Sequence, residues 1–114
     1  MTVTIYHNPS CSNSRAALAT IRERGIEPTI IEYLKTPLTK DQLRALVEKM
    51  GVPVKDVVRF REAAAAEAGI SEASSDNTLL AAMAQNPILM NRPIVSTEKG
   101  VKLCRPGDVA ASLL

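Results

Sequence analysis

With 114 residues, of which 46% are hydrophobic and 23% charged, the chain is long enough for one domain with a real core and short for two. Aromatic residues at 3% leave no stacking platform for bases, and a net charge of +2 is too small for a polyanion binder, which sets nucleic acid aside as a partner. No apolar run approaches membrane-spanning length and no basic segment leads into one, so neither export nor a membrane span is expected. The 2 widely separated cysteines form no secreted disulfide framework, so the reading is a cytoplasmic domain spanning 1–114.

Val3-Thr4-Ile5-Tyr6-His7 alternates as a half-buried strand, Asn8-Pro9 breaks it, and an amphipathic helix follows from Ser12 to Arg24. Its apolar positions are Ala16, Ala17, Leu18 and Ile21, and Gly25 stands where a left-handed helix end needs it. Pro28 to Leu34 is rich in β-branched residues and predicts a second strand, parallel to the first because a helix of about a dozen residues separates them. Thr39 and Gln42 form a capping box ahead of a helix carrying Leu43, Leu46, Val47 and Met50 to Gly51. Pro53 opens a short helix ending near Arg59. Glu62 to Ala68 is alanine-rich and helical, and Ser75 caps a further helix that runs to Asn86-Pro87.

Strands return at Pro93–Thr97 and Val101–Cys104, joined by the turn Glu98-Lys99-Gly100 into a hairpin, and Pro106-Gly107-Asp108 opens a last helix ending near Leu113. The order β-α-β, helices, β-β-α predicts an α/β fold: a four-stranded mixed sheet with flanking helices and a helical insertion.

Cys11 falls where the first strand gives way to the first helix. An ordinary thiol near pKa 8.5 is only ~3% ionised at neutral pH, whereas one lowered to about 6.5 at a helix N-terminus is ~75% thiolate. The free N–H groups of that first turn also favour a bound oxyanion. Ser10, Ser12, Asn13 and Ser14 suit an accessible loop rather than a core. Ser14 either hydrogen-bonds a thiolate or simply caps the helix. A single sulfur in Cys11-Ser12-Asn13-Ser14 takes its disulfide partner from a small thiol, another protein or Cys104. Cys104 itself reads as a buried strand-end residue, with a resolving role as the alternative. His7, the only histidine, reads as a hydrogen-bonded side chain at a strand end. With no second histidine or carboxylate cluster, and no glycine-rich phosphate loop, no bound metal or nucleotide is expected.

Strand, polar cysteine loop, helix and a later Arg92-Pro93 entering a hairpin resemble the thioredoxin fold, in which a proline facing the cysteine is commonly cis. More narrowly, His7-Asn8-Pro9-x-Cys11-x-x-Ser14-Arg15, Val57-Val58-Arg59, the stretch Asn86 to Val95 containing Asn91-Arg92-Pro93, and Leu103-Cys104-Arg105-Pro106 resemble the glutaredoxin-dependent arsenate reductase family along nearly the whole chain. The resemblance implies that Cys11 attacks arsenate, that Arg59, Arg92 and Arg105 bind the oxyanion, and that His7 helps to keep the cysteine ionised. It further implies glutathione as cosubstrate, with no bound cofactor, and glutaredoxin as the protein that reduces the resulting mixed disulfide.

Longer members carry a further C-terminal segment, and Phe60-Arg61-Glu62 with the alanine run departs from the polar stretch of the best-known enzymes. Two other readings stand beside arsenate reduction. One is a glutathione-linked oxidoreductase of another substrate, the other a redox-sensing regulator that contacts RNA polymerase. The second usually has a Cys-x-x-Cys switch, against which Ser14 and the arginines count.

Overall fold

In the computed structural model, which describes residues 1–114, the N-terminal alternating run forms β1 (Thr4–Tyr6), with Ile5 sealed on the core side between half-buried neighbours. The chain divides into two units, Met1–Thr36 with Arg92–Leu114, and Pro37–Asn91. In the first, α1 (Ser12–Glu23) connects β1 to β2 (Thr29–Ile31), and the two strands are parallel with Thr4 opposite Thr29 and Tyr6 opposite Ile31. Gly25 follows the helix at φ +73°, a conformation that costs glycine nothing and lets the chain reverse towards β2.

β3 (Ile94–Thr97) lies antiparallel on the other side of β1, and β4 (Gly100–Leu103) pairs antiparallel with β3, giving the order β2-β1-β3-β4. The mixed four-stranded sheet with helices is the one that the element order predicts, and its arrangement is the thioredoxin-like one that the resemblance implies. Beneath it Val3, Ile5, Ala17, Ile21, Val95, Cys104, Ala110 and Leu113 form one apolar cluster. Fully burying a side chain such as Ile21 is worth roughly 1.5–3 kcal/mol, so Ile5 and Ile21 together fix α1 on the sheet.

Three details differ from the sequence pattern. β2 ends at Ile31, not Leu34, because Glu32 starts a turn: its carbonyl accepts from Lys35 N and Thr36 N, each at 2.9 Å. Along α1 the buried positions are Ser14, Ala17 and Ile21, while Ala16 is exposed; a hydroxyl has replaced an apolar group at the top of the stripe. The last helix, Gly107–Leu113, winds as 3-10 rather than α. Gly107 explains its close seat: a Cβ there would run into the carbonyl oxygen of Asn13 and come within 2.6 Å of Ala17 N and 2.7 Å of Ala16 Cβ. Only a bare backbone fits against α1 at that point.

The second unit is helical. α2 (Lys40–Met50) begins at the expected capping box, with Gln42 N donating to Thr39 Oγ1 at 3.1 Å and Thr39 N to Gln42 Oε1 at 2.9 Å, and ends at Gly51 with φ +68°. A 3-10 turn at Val54–Val57, α3 (Ala63–Glu67), α4 (Asp76–Gln85) and a 3-10 turn at Pro87–Leu89 follow. Ser75 caps α4 by accepting from Thr78 N at 3.2 Å. An isolated bridge between Val58 and Met90, with Arg59 N donating to Leu89 O and Asn91 N to Val57 O, both at 2.7 Å, ties the two non-helical stretches together. No helix is long and apolar enough to cross a membrane.

Candidate active site at the start of the first helix

The sheet register decides which side chains meet. Tyr6 pairs with Ile94 and Ile94 with Leu103, so the residues just after β1, just before β3 and just after β4 leave the sheet at one end. Those residues are His7 and the cysteine loop, Arg92-Pro93, and Cys104-Arg105. Both Arg92-Pro93 and Arg105-Pro106 are cis; the resemblance leads to the first and nothing in the sequence to the second.

Cys11 is the N-cap residue of α1, with extended backbone (φ −95°, ψ 123°) and a partly exposed side chain. Its carbonyl accepts from Arg15 N at 3.0 Å, and its own N–H donates to Asn8 O at 3.0 Å. The cap's side chain forms no capping bond, which leaves the sulfur to face the N–H groups of the first turn. Arg105 Nη1 lies 3.8 Å from Cys11 Sγ and donates to Arg92 O at 2.8 Å. Burial by itself would raise the thiol's pKa. The Ser14 backbone N–H, the Ser14 hydroxyl, the Arg92 side chain and the Asn13 N–H outweigh it and bring the thiol down to about 7. Cys11 is therefore about half thiolate at neutral pH.

Ser14 is completely buried, and its Oγ accepts from Asn8 N at 3.3 Å. His7 is also buried, its N–H donating to Ile31 O at 2.8 Å, and its Nδ1 has no hydrogen-bond partner within the protein. Burial lowers its pKa; Glu32 opposes that and the charges of Arg22 and Arg15 reinforce it, so the imidazole is neutral at pH 7. The hydrogen bond at this strand end is made by the backbone of His7, and the ring's Nδ1 makes none within the protein.

Cys104 is fully buried in the core cluster, and burial, against the weaker pull of Lys102 and the Val95 N–H, pushes its thiol up to about 11. It is inert at neutral pH. Arg59 belongs to the second unit, where its Nε donates to Glu62 Oε1 at 3.2 Å, both side chains about a quarter exposed. Of the residues singled out from sequence, the first unit brings Cys11, Ser14, Arg92 and Arg105 together, with His7 at the head of the same loop.

The residue the pattern leaves out is Asn8, 5% exposed, whose Oδ1 accepts from Ser10 N at 3.0 Å. Its signal was its place before a proline, where asparagine marks a turn made by its own side chain. No group of three or more His, Cys, Asp or Glu side chains gathers anywhere in the structure to hold a metal ion.

Comparison with known proteins places these features in context. A sequence model of the ArsC family matches residues 6–112. An arsenate reductase of Rhizobium meliloti (strain 1021) is 48% identical over all of this chain and 82% of its own length. An arsenate reductase of Escherichia coli (strain K12) is 47% identical over 98% of this chain and 80% of its own. Among solved structures, an arsenate reductase from Vibrio cholerae superposes with a TM-score of 0.94 at 37% identity, covering 100% of this chain and 98% of the other.

Proposed function

Because the chain belongs to the ArsC family, we propose that it is an arsenate reductase in which Cys11 is the nucleophile and Arg92, Arg105 and Arg59 bind the oxyanion. The observation that carries this reading is the Arg105 guanidinium 3.8 Å from a sulfur whose pKa is about 7. Arsenate is mainly a dianion near neutrality, and a thiolate approaches it only where cations offset the repulsion. Charge-assisted hydrogen bonds from guanidinium contribute roughly 1.5 to 3 kcal/mol each, and their planar fork matches two oxygens of a tetrahedral anion. Arg59 enters through the sequence resemblance, with Glu62 on its Nε.

In the reaction the Cys11 thiolate attacks arsenic(V), a sulfur–arsenic bond forms, and an arsenate oxygen leaves as water after protonation. A glutathione thiolate then attacks Cys11 Sγ. The sulfur–arsenic electron pair returns to arsenic, which departs as arsenite in the trivalent state, and Cys11 is left in a mixed disulfide with glutathione. Glutaredoxin takes up the glutathionyl group and regenerates the thiol. Ser14 donates its hydroxyl to the thiolate. The family resemblance assigns to His7, at the head of the same loop, the task of helping to keep Cys11 ionised. A reducing cytoplasm supplies the glutathione and glutaredoxin that this cycle uses.

The test is a coupled assay of the purified chain with arsenate, glutathione, glutaredoxin and a reductant. Arsenite is expected, and it is expected to vanish in Cys11→Ser. Full turnover in that variant excludes Cys11 as the nucleophile. Binding to RNA polymerase without turnover favours a regulator.

A further inference from the structure

We propose that Asn8 is a positioning residue of the reaction: its buried side chain folds the loop so that the Ser14 hydroxyl is presented to the Cys11 sulfur as a donor. The inference rests on Cys11 being the nucleophile, as read above.

Asn8 contacts three other residues of the loop. Its Oδ1 accepts from Ser10 N at 3.0 Å, its carbonyl accepts from Cys11 N at 3.0 Å, and its N–H donates to Ser14 Oγ at 3.3 Å. The last bond orients the hydroxyl. A serine has one proton and two lone pairs, and in a helix that proton often turns back to a carbonyl four residues earlier. Here Ser14 is fully buried and Asn8 N–H occupies the acceptor side of its oxygen, so the proton points away from Asn8 and towards the sulfur that Ser14 holds as a thiolate.

The side chain of Asn8 keeps that N–H in place. Its bond to Ser10 N closes a turn two residues long, and Pro9 within the turn fixes φ and restricts Asn8 to extended backbone. At 5% exposure, the amide is not a solvated surface group that happens to face the loop. Removing it frees residues 8–11 to relax, and the Asn8 N–H then no longer sets the direction of the Ser14 hydroxyl.

The experiment is the pH dependence of Cys11 alkylation by iodoacetamide, read at the Cys11 peptide by mass spectrometry so that Cys104 does not contribute. Asn8→Ala is expected to raise the midpoint by about one pH unit, with about tenfold slower alkylation at pH 6 and a rate at pH 9.5 within about twofold of the native chain. Ser14→Ala raises the midpoint as well, and the double variant moves no further than Ser14→Ala, since Asn8 acts through Ser14. A native midpoint in Asn8→Ala, or an Asn8→Ala shift of undiminished size in the Ser14→Ala background, overturns the proposal. Asn8→Ser, whose shorter side chain still accepts from Ser10 N, gives about half the shift. It keeps the test open should the alanine chain not fold, and a native midpoint in it then overturns the proposal as well. Arsenite production by Cys11→Ser would sink the nucleophile assignment instead, a result separate from any of these alkylation curves.

Discussion

Arg105 performs two tasks with one nitrogen, since Nη1 reaches both the Cys11 sulfur and the Arg92 carbonyl. Lysine offers a compact, flexible point charge in place of a planar fork, so it loses the fixed two-nitrogen geometry proposed to meet the tetrahedral anion. Arg105→Lys is therefore expected to lower kcat/KM for arsenate about tenfold to a hundredfold, the equivalent of one charge-assisted hydrogen bond, while Cys11 still ionises below an ordinary thiol. Steady-state kinetics across arsenate concentrations decides it, and a variant within about threefold of the native chain shows that the fork is not used. At this scale the proposed nucleophile was legible as a candidate: Cys11 stood between a turn and a helix start among polar neighbours. The arginines were legible only through resemblance, because nothing in local spacing separates Arg105 from Arg61 or Arg44. Asn8 was hidden by its ordinary role as a turn residue.

At the scale of elements, the seat of the 3-10 segment Gly107–Leu113 on α1 depends on one missing methyl group. Gly107→Ala places a Cβ against main-chain atoms of Asn13 and Ala17, which cannot swing aside as a long side chain can. Overpacking of this kind costs about 1–3 kcal/mol, and alanine returns about 0.4–1 by stiffening the unfolded chain, for a net loss of about 1–2 kcal/mol. Urea unfolding measures it, and an unchanged midpoint rejects the close approach.

The parallel β1–β2 pair, the hairpin of β3 and β4 and the capping box at Thr39 could be read in advance, since each is set by a short pattern and a local turn. The 3-10 winding after Pro106 could not, because it answers to the fit against α1. Leu34 falls outside β2 because the turn begun at Glu32 competes with the ladder for the same backbone groups.

For the molecule as a whole, the two thiols push stability in opposite directions with pH. An unfolded cysteine ionises near 8.5, whereas folded Cys104 keeps its proton up to about 11. Between those values the folded chain binds more protons than the unfolded one, so this contribution is complete below about pH 8.5 and is lost as pH rises through 11. Keeping the proton across that interval is worth roughly 3 kcal/mol. The urea midpoint is expected to fall between pH 8.5 and 11 and to flatten over that range in Cys104→Ala; an equally steep fall in the variant assigns the effect elsewhere. Cys11 has the opposite sign. Its folded value of about 7 lies below the unfolded one, so its contribution is present above about pH 8.5 and is lost as pH falls through 7.

The order of elements along the chain foretold the sheet, but only the completed sheet places residue 105 beside residue 11, a pairing across 94 positions that no window of sequence contains. That pairing has a further consequence through the Arg92 carbonyl. A cation tethered only to a thiolate would be set loose when the sulfur bonds to arsenic and gives up its negative charge. Moored also to the main chain at 2.8 Å, the Arg105 arm has no reason to swing out at that moment. In the proposed reaction the cluster of Cys11, Arg92 and Arg105 stays assembled from one turnover to the next, and each incoming anion meets a berth already built.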